Sequence, residues 1–194
     1  MHDRTRLAKG AGTLLSLWML VALLTMQTGV AYALPFAGLG GFEIRAASFE
    51  GQGLTQYTAT ADTSTTSSTP VGVTELNSAT LTNMQLIKTL NVSTVPGLSG
   101  TARFVITTNG ETTAQGVTTY VSVIESNRAQ FDGLVMFEQN STDPSQEFRM
   151  QANKITLDNA AIRAHYLQAD QITFPQLSLV VQYDPDGDGT YEYA

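Results

Sequence analysis

Apolar and polar side chains alternate with a period of two in many segments beyond residue 41. In residues 154–158 and 177–183 an apolar residue occupies every second position. This is the period of a half-buried β-strand, and Thr, Val, Ile, Tyr and Phe, which favour strands, are frequent in these runs. A 3.6-residue apolar stripe is not sustained over three turns, although residues 160–169 come nearest. We therefore expect one all-β, mainly antiparallel domain over residues 42–194.

A short pattern recurs five times in this region and predicts where the strands bend. It consists of two apolar residues two apart, then Gly, Asn or Gln, then a third apolar residue. The predicted bend residues are Gly51, Asn83, Gly133, Asn159 and Gln176. Gly and Asn tolerate positive φ, so each copy predicts a strand, a corner and a second strand. Matches this short also arise by chance. The uneven spacing favours a sandwich, a jelly roll or an elongated curved sheet over a regular solenoid.

Three segments have the composition of loops between strands. Residues 58–73 are mainly Thr, Ser and Ala, residues 91–100 contain a Pro-Gly pair, and residues 140–146 contain an Asp-Pro pair. Such residues favour turns and supply few apolar anchors. We expect all three segments to lie outside the strands.

The N-terminus has the features of an export signal. Three basic residues precede an apolar run over residues 14–26, and Ala-Tyr-Ala follows at the position of a cleavage site. A run of about 13 residues is short for a membrane span, which needs about 20. We interpret residues 1–33 as a signal peptide cleaved after Ala33, residues 34–41 as a linker, and the protein as secreted or held in the cell envelope. An uncleaved membrane anchor is the alternative.

Composition limits the chemistry and the partners of the chain. There is no Cys, which excludes disulfides, thiolate nucleophiles and zinc–thiolate sites. Residues 1–33 hold three basic residues and one acidic residue, so their removal changes the net charge from -7 to about -9. An acidic domain repels nucleic-acid phosphates. We expect no nucleic-acid partner, and an envelope or membrane component or a lipid instead. The oligomeric state is left open.

Catalytic motifs are sparse. His165 is the only His after the predicted signal, and Gly97-Leu-Ser99-Gly100 is one residue short of a nucleophile elbow. We therefore assign no catalytic and no cofactor-binding residues, and expect a non-catalytic protein with a structural or interaction role. A second hypothesis is a carrier whose apolar strand face binds a lipid-like ligand. An esterase using Ser99 and His165 is a third, disfavoured hypothesis.

One motif near the C-terminus has the donor spacing of a calcium loop. It comprises Asp184, Asp186, Asp188, Thr190 and Glu192. Carboxylates at positions 1, 3 and 5 can converge on one cation, and position 7 offers its carbonyl. The motif matches only the first half of such a loop. It predicts either a weak extracellular calcium site or a solvated acidic turn after the last strand.

Three segments also resemble a known family. They are residues 42–57 (FEIRAASFEGQGLTQY), 79–84 (ATLTNM) and 174–180 (FPQLSLV). Together they are similar to a family of secreted proteins of unknown function that is common in actinobacteria, some of whose members are labelled cholesterol esterase. The resemblance implies export and a mature domain of about this length. It supplies no established catalytic residues.

Overall fold

The computed structural model describes residues 41–62, 67–93, 95–143 and 147–193. The predicted signal peptide, its cleavage site and residues 34–40 of the predicted linker lie outside the described residues. Within the described ranges the chain forms eleven strands. They are β1 (Phe42–Ala61), β2 (Thr69–Thr82), β3 (Gln85–Asn91), β4 (Thr101–Thr107), β5 (Glu111–Glu125), β6 (Arg128–Asp132), β7 (Val135–Glu138), β8 (Phe148–Gln168), β9 (Gln171–Thr173), β10 (Ser178–Asp184) and β11 (Glu192–Tyr193).

All pairings among these strands are antiparallel, and they join the strands into one sheet. The prediction of a mainly antiparallel all-β domain is therefore confirmed, and the architecture is the curved sheet. The sheet curves so far that it closes on itself. Strand β1 pairs with β2 and β8, and β5 pairs with the same two strands, so the four form a closed ring.

The four ring strands coil steeply around their common core. Cross-strand pairs lead from Tyr57, near the end of β1, through β2 and β5 to Tyr166 on β8. Tyr166 lies beyond Ala164, which pairs with Phe42 at the start of β1. A path of paired residues that leaves β1 near its C-terminal end therefore returns, after one circuit of the ring, at a level beyond the N-terminal end of β1. This stagger is the geometry of strongly tilted strands.

Two rows of bend residues cross the sheet from strand to strand. The first bend row is Gly133, Asn153, Gly53, Asn77, Gly116 and Asp170. The second bend row is Asn127, Asn159, Ala47, Asn83, Gly110 and Gln176. Every other residue of the first row and four of the six residues of the second row have positive φ, from 44° at Gln176 to 112° at Gly110. Each row therefore marks a line along which the whole sheet bends.

The bends let the strands keep one face toward the core. Buried residues are two apart within a straight segment but three apart across a bend row. The three-residue steps are Leu76 to Ala79, Ala114 to Val117 and Ala152 to Ile155 at the first row, and Ala46 to Phe49, Leu81 to Met84 and Leu157 to Ala160 at the second. Without the extra residue, the side-chain alternation would turn the apolar set outward. Most of the buried apolar residues of the four ring strands form one cluster, to which all four strands contribute.

The recurring pattern predicts four of its five bends correctly. Asn83, Gly133, Asn159 and Gln176 have positive φ, and all but Asn159 separate two strands. The prediction is wrong at Gly51, because the bend lies at Gly53. A Cβ at Gly51 would lie 2.8 Å from the Leu76 side chain, so the absence of a side chain at Gly51 allows Leu76 to pack in the core.

The loop predictions are confirmed in two segments and wrong in one. Of residues 91–100, the described residues after Asn91 lie between β3 and β4, and of residues 140–146, the described residues 140–143 lie after β7 and outside the strands, as expected. Most of residues 58–73 are instead in strands, because β1 continues to Ala61 and pairs there with Thr69 of β2. Thr is a good strand residue as well as a frequent loop residue, and cross-strand pairing decides between the two. Residues 160–168 lie in β8 rather than in a helix.

Substituting Gly53 by Ala tests the bend rows. Gly53 has φ +66°, and a Cβ there would lie 2.1 Å from the Asn77 amide nitrogen. Positive φ alone costs a non-glycine residue about 1 kcal/mol, and the clash adds to it. We expect Gly53→Ala to lower the free energy of unfolding in urea by about 2 kcal/mol or more.

The matched control is Gly97→Ala. Gly97 has φ +89° with nothing within 4 Å of the added Cβ, so only the backbone strain applies. Equal losses for the two variants would show that packing against Asn77 contributes nothing to the bend.

Candidate functional site

The acidic motif forms a turn organised by Asp184, the last residue of β10. The Asp184 side chain is 2% exposed. Its Oδ1 accepts a hydrogen bond from the Gly187 N–H (2.7 Å) and its Oδ2 accepts one from the Gly189 N–H (3.0 Å). Burial opposes ionisation of this carboxyl, but the hydrogen bonds from Gly189 and Gly187, together with those from Asp186 and Asp188, outweigh it and hold the pKa of Asp184 below its usual value. The Asp184 carboxylate therefore stabilises the turn.

The structure brings together three of the five predicted metal-binding residues. Oxygen atoms of Asp184, Asp186 and Asp188 lie within 4.8 Å of one another, and the last two residues are exposed. Thr190 donates its backbone N–H to Asp188 Oδ1 at 2.7 Å. Glu192 lies in β11 opposite Tyr183 and is not part of the group. Three carboxylates suit Ca²⁺ chemically, but the same hydrogen bonds also describe a self-sufficient acidic turn.

Calcium titration decides between the two interpretations of this turn. If the turn is a weak calcium site, calorimetry at millimolar calcium gives a binding heat that is lost in the double variant Asp186→Ala, Asp188→Ala. The Asp184 hydrogen bonds remain in that variant, so the turn should persist. Equal heats for the two proteins would identify a solvated acidic turn.

Ser99, the serine of the esterase hypothesis, packs on the acidic turn. Its Oγ donates a hydrogen bond to the Pro185 carbonyl at 2.8 Å. The Tyr183 hydroxyl donates to the Ser99 carbonyl at 2.7 Å. A Cβ on Gly100 would lie 2.0 Å from the Asp184 carbonyl oxygen, so Gly100 permits this close contact. The Gly-Leu-Ser-Gly segment thus fastens the loop before β4 to the end of β10.

His165 lies in a different environment, beside the start of β1. Its Nδ1 is buried and has no hydrogen-bond partner among the described residues. Lys88, which is 8% exposed, donates to the Gly41 carbonyl at 2.8 Å. Burial, and then the positive charges of Arg163 and Lys88, lower the pKa of His165. The imidazole is therefore neutral at neutral pH, and no hydrogen bond in the described part of the chain joins it to Ser99.

Two shallow depressions follow the bend rows. One, of about 530 Å³, is lined by Asn83 and Asn159 of the second row. The other, of about 550 Å³, is lined by Gly53, Gly133 and neighbouring residues of the first. Neither lining contains a Ser, His, Asp or Glu. The depressions are features of the bent sheet that offer amide and apolar groups.

A more distinctive surface lies at one edge of the sheet. Strands β6 and β7 pair with β8 on one side, and with no other strand among the described residues. We call residues 128–138 the open edge. Its C-terminal part carries Leu134, Val135, Met136 and Phe137, which are 39–57% exposed. Phe148 of β8, which pairs with Glu138 of β7, is 37% exposed.

Part of this apolar surface is the margin of the core itself. Directly paired residues on neighbouring strands project to the same face. Phe131 pairs with the buried Ile155, and both Phe131 and Met150 pack against the core. Met136 pairs with Met150, so it lies on the core-facing side although it is 57% exposed. The core-facing stripe therefore runs to the open edge and ends there uncovered.

Sequence reasoning did not find the open edge. The recurring pattern includes Ala129, Phe131 and Met136, and it predicts the bend at Gly133 correctly. The same pattern in β8 is buried, so the pattern alone does not distinguish an inner strand from an edge strand. The distinction arises from pairing with residues distant in sequence. The one local signal is the run of four apolar residues from Leu134 to Phe137, which breaks the alternation.

Comparison with known families assigns most of the chain. A family model matches residues 40–187 and is described as a family of unknown function, DUF6230. The chain belongs to this family. The expected family of unknown function is thus confirmed at that level. In this DUF6230 protein the match includes the ring, the open edge and Asp184, whereas Asp188, Thr190 and Glu192 lie beyond it.

Comparisons with curated proteins and with solved structures give no match. In the described ranges of the chain, no helix has the length and apolar character needed to cross a membrane.

Proposed function

We propose that this DUF6230 protein is a non-catalytic secreted or cell-envelope protein that acts by binding a partner through its open edge. The observation that supports the proposal most is the uncovered apolar margin around Leu134 and Met136. Soluble proteins seldom expose contiguous apolar surface without a partner for it. A free strand edge also presents unpaired backbone N–H and C=O groups that another strand can bind.

The surroundings of the two residues of the esterase hypothesis favour this role over hydrolysis. The Ser99 hydroxyl is engaged with the Pro185 carbonyl, and His165 is flanked by cationic side chains. A serine nucleophile needs a base within hydrogen-bond reach, oriented by a third group. The proposed location rests on the export features of residues 1–33, because a signal peptide directs a domain to the cell envelope or beyond.

Retention by isolated cell envelopes tests the proposed role. The wild-type chain should sediment with envelopes of the producing organism, and the double variant Leu134→Lys, Met136→Lys should remain in the supernatant. The control is Val95→Lys, Leu98→Lys, which adds the same charge at residues 48% and 44% exposed in the β3–β4 loop. Circular dichroism should show that all three proteins are folded.

Two results would contradict the proposal. One is equal retention of the wild type and the open-edge variant. The other is hydrolysis of a broad panel of esters by the wild type that is lost in Ser99→Ala or His165→Ala, since that would restore the esterase hypothesis.

A second candidate function is the binding of a lipid-like ligand at the same apolar margin. Met136, Met150 and Phe148 offer flexible apolar and aromatic surface beside the core. The interior of the ring is filled by its own side chains, so a ligand would lie at the margin rather than inside. Mass spectrometry of organic extracts from purified protein should then find lipid with the wild type and less with Leu134→Lys, Met136→Lys. Extracts free of lipid would remove this candidate.

A further inference from the structure

We infer that the partner bound by the open edge is a second copy of the chain, joined by antiparallel pairing of the two open edges. This inference rests on the proposed function and specifies the partner. An antiparallel strand edge is complementary to itself, because a two-fold axis brings each N–H and C=O opposite its counterpart. One edge on each chain therefore produces a closed dimer rather than a growing fibre.

The open edge lacks some of the usual protection against such pairing, although its two strands are short and are separated by the bend at Gly133. Natural edge strands are commonly blunted by Lys, by Pro or by a covering segment. Residues 128–138 contain neither Lys nor Pro. At the far end of the sheet the free edge carries Pro175 between β9 and β10, and β11 covers part of β10. The two ends thus differ: among the described residues, the open edge has a run of four exposed apolar side chains from Leu134 to Phe137, whereas the far end has the separate exposed residues Leu177 and Tyr193.

A second copy fits this surface better than a lipid surface does. The hydrocarbon part of a lipid surface cannot supply hydrogen bonds to the free backbone groups, whereas a second strand edge supplies both donors and acceptors. Anionic lipid is further disfavoured by the net charge of -7.

The side chains of the open edge also suit self-pairing. Arg128, Asp132 and Glu138 place charges of both signs along one edge, and the exposed Arg128 side chain also forms a salt bridge with Asp158 of β8 (2.9 Å). An antiparallel copy runs in the reverse direction, so a basic residue near one end can meet an acidic residue from the other end. The exposed residue Met136 lies on the core-facing side, so pairing would extend the apolar stripe from one chain into the next. Pairing of the two open edges would therefore reduce the exposure of the apolar margin that each single chain has at its open edge.

Sedimentation velocity of the purified full-length chain tests the inference. From micromolar to submillimolar concentration, the wild type and Val95→Lys, Leu98→Lys should sediment as two-chain species. Leu134→Lys, Met136→Lys should sediment as a single chain, with its thermal unfolding transition retained. A wild type that remains a monomer throughout this range would overturn the inference, as would a dimer that persists in the open-edge variant. Envelope retention by a monomeric wild type would leave the proposed function intact.

Cysteine cross-linking locates the join, because the natural chain has no Cys. Single variants Gln130→Cys, Asp132→Cys and Val135→Cys sample the open edge, and Leu98→Cys is the control. A disulfide requires Cα atoms about 4.4–6.8 Å apart, so only positions near the two-fold axis cross-link efficiently. We expect rapid oxidation to a covalent dimer at one or two of the three positions. Failure at all three, or equal cross-linking at Leu98→Cys, would contradict edge-to-edge pairing.

Discussion

The pairing of β1 with β8 is the constraint on which the rest of the structure depends. Both neighbours of β1 are long strands, so its backbone groups are hydrogen-bonded on both sides over most of its length. Closure of this kind removes two sheet edges at once and encloses the apolar faces of four strands. It also requires the strands to coil, and the two bend rows supply the curvature. Paired strands bend together, since each row crosses all of them at the same level.

Because the four ring strands close on one another, the free edges among the described strands lie at the two ends of the sheet. These two ends differ in structure. At one end, the acidic turn held by Asp184 leads the chain back to form β11 against β10. At the other end, β6 and β7 pair with β8, but no strand among the described residues pairs with their outer edge, and the margin of the core is exposed there. A single constraint thus accounts for a well-packed interior and for one exposed apolar surface. In the proposed function, this surface is the functional part of the molecule.

Local features of the fold could be read from the sequence, whereas long-range features could not. Alternating side chains predicted the strands, and Asn83 and Asn159 marked bends because Asn tolerates positive φ better than most residues. Gln176 has no such preference, and only its place in the recurring pattern predicted its bend. The choice between Gly51 and Gly53 depended on Leu76 and Asn77 across the sheet. Residues 58–73 have a composition common to loops and strands, and their pairing with each other decided the outcome.

The candidate sites follow the same division. Asp184, Asp186 and Asp188 are neighbours in sequence, so their proximity was predictable. Glu192 lies apart from these three residues because β11 pairs with β10. The local sequence around Glu192 does not indicate this pairing. The open edge was missed for a related reason. Ala129 to Met136 has the pattern of a buried segment, and only the absence of a second neighbouring strand among the described residues exposes it.

Nuclear Overhauser contacts across β1 in solution test the closed ring most directly. Phe49 lies between Leu81 of β2 and Leu157 of β8, opposite both of them. The closed ring predicts backbone contacts from Phe49 to both residues in the same folded species. Contacts to Leu81 without contacts to Leu157 would make β1 an edge strand, and would contradict the ring and the enclosed core that depends on it.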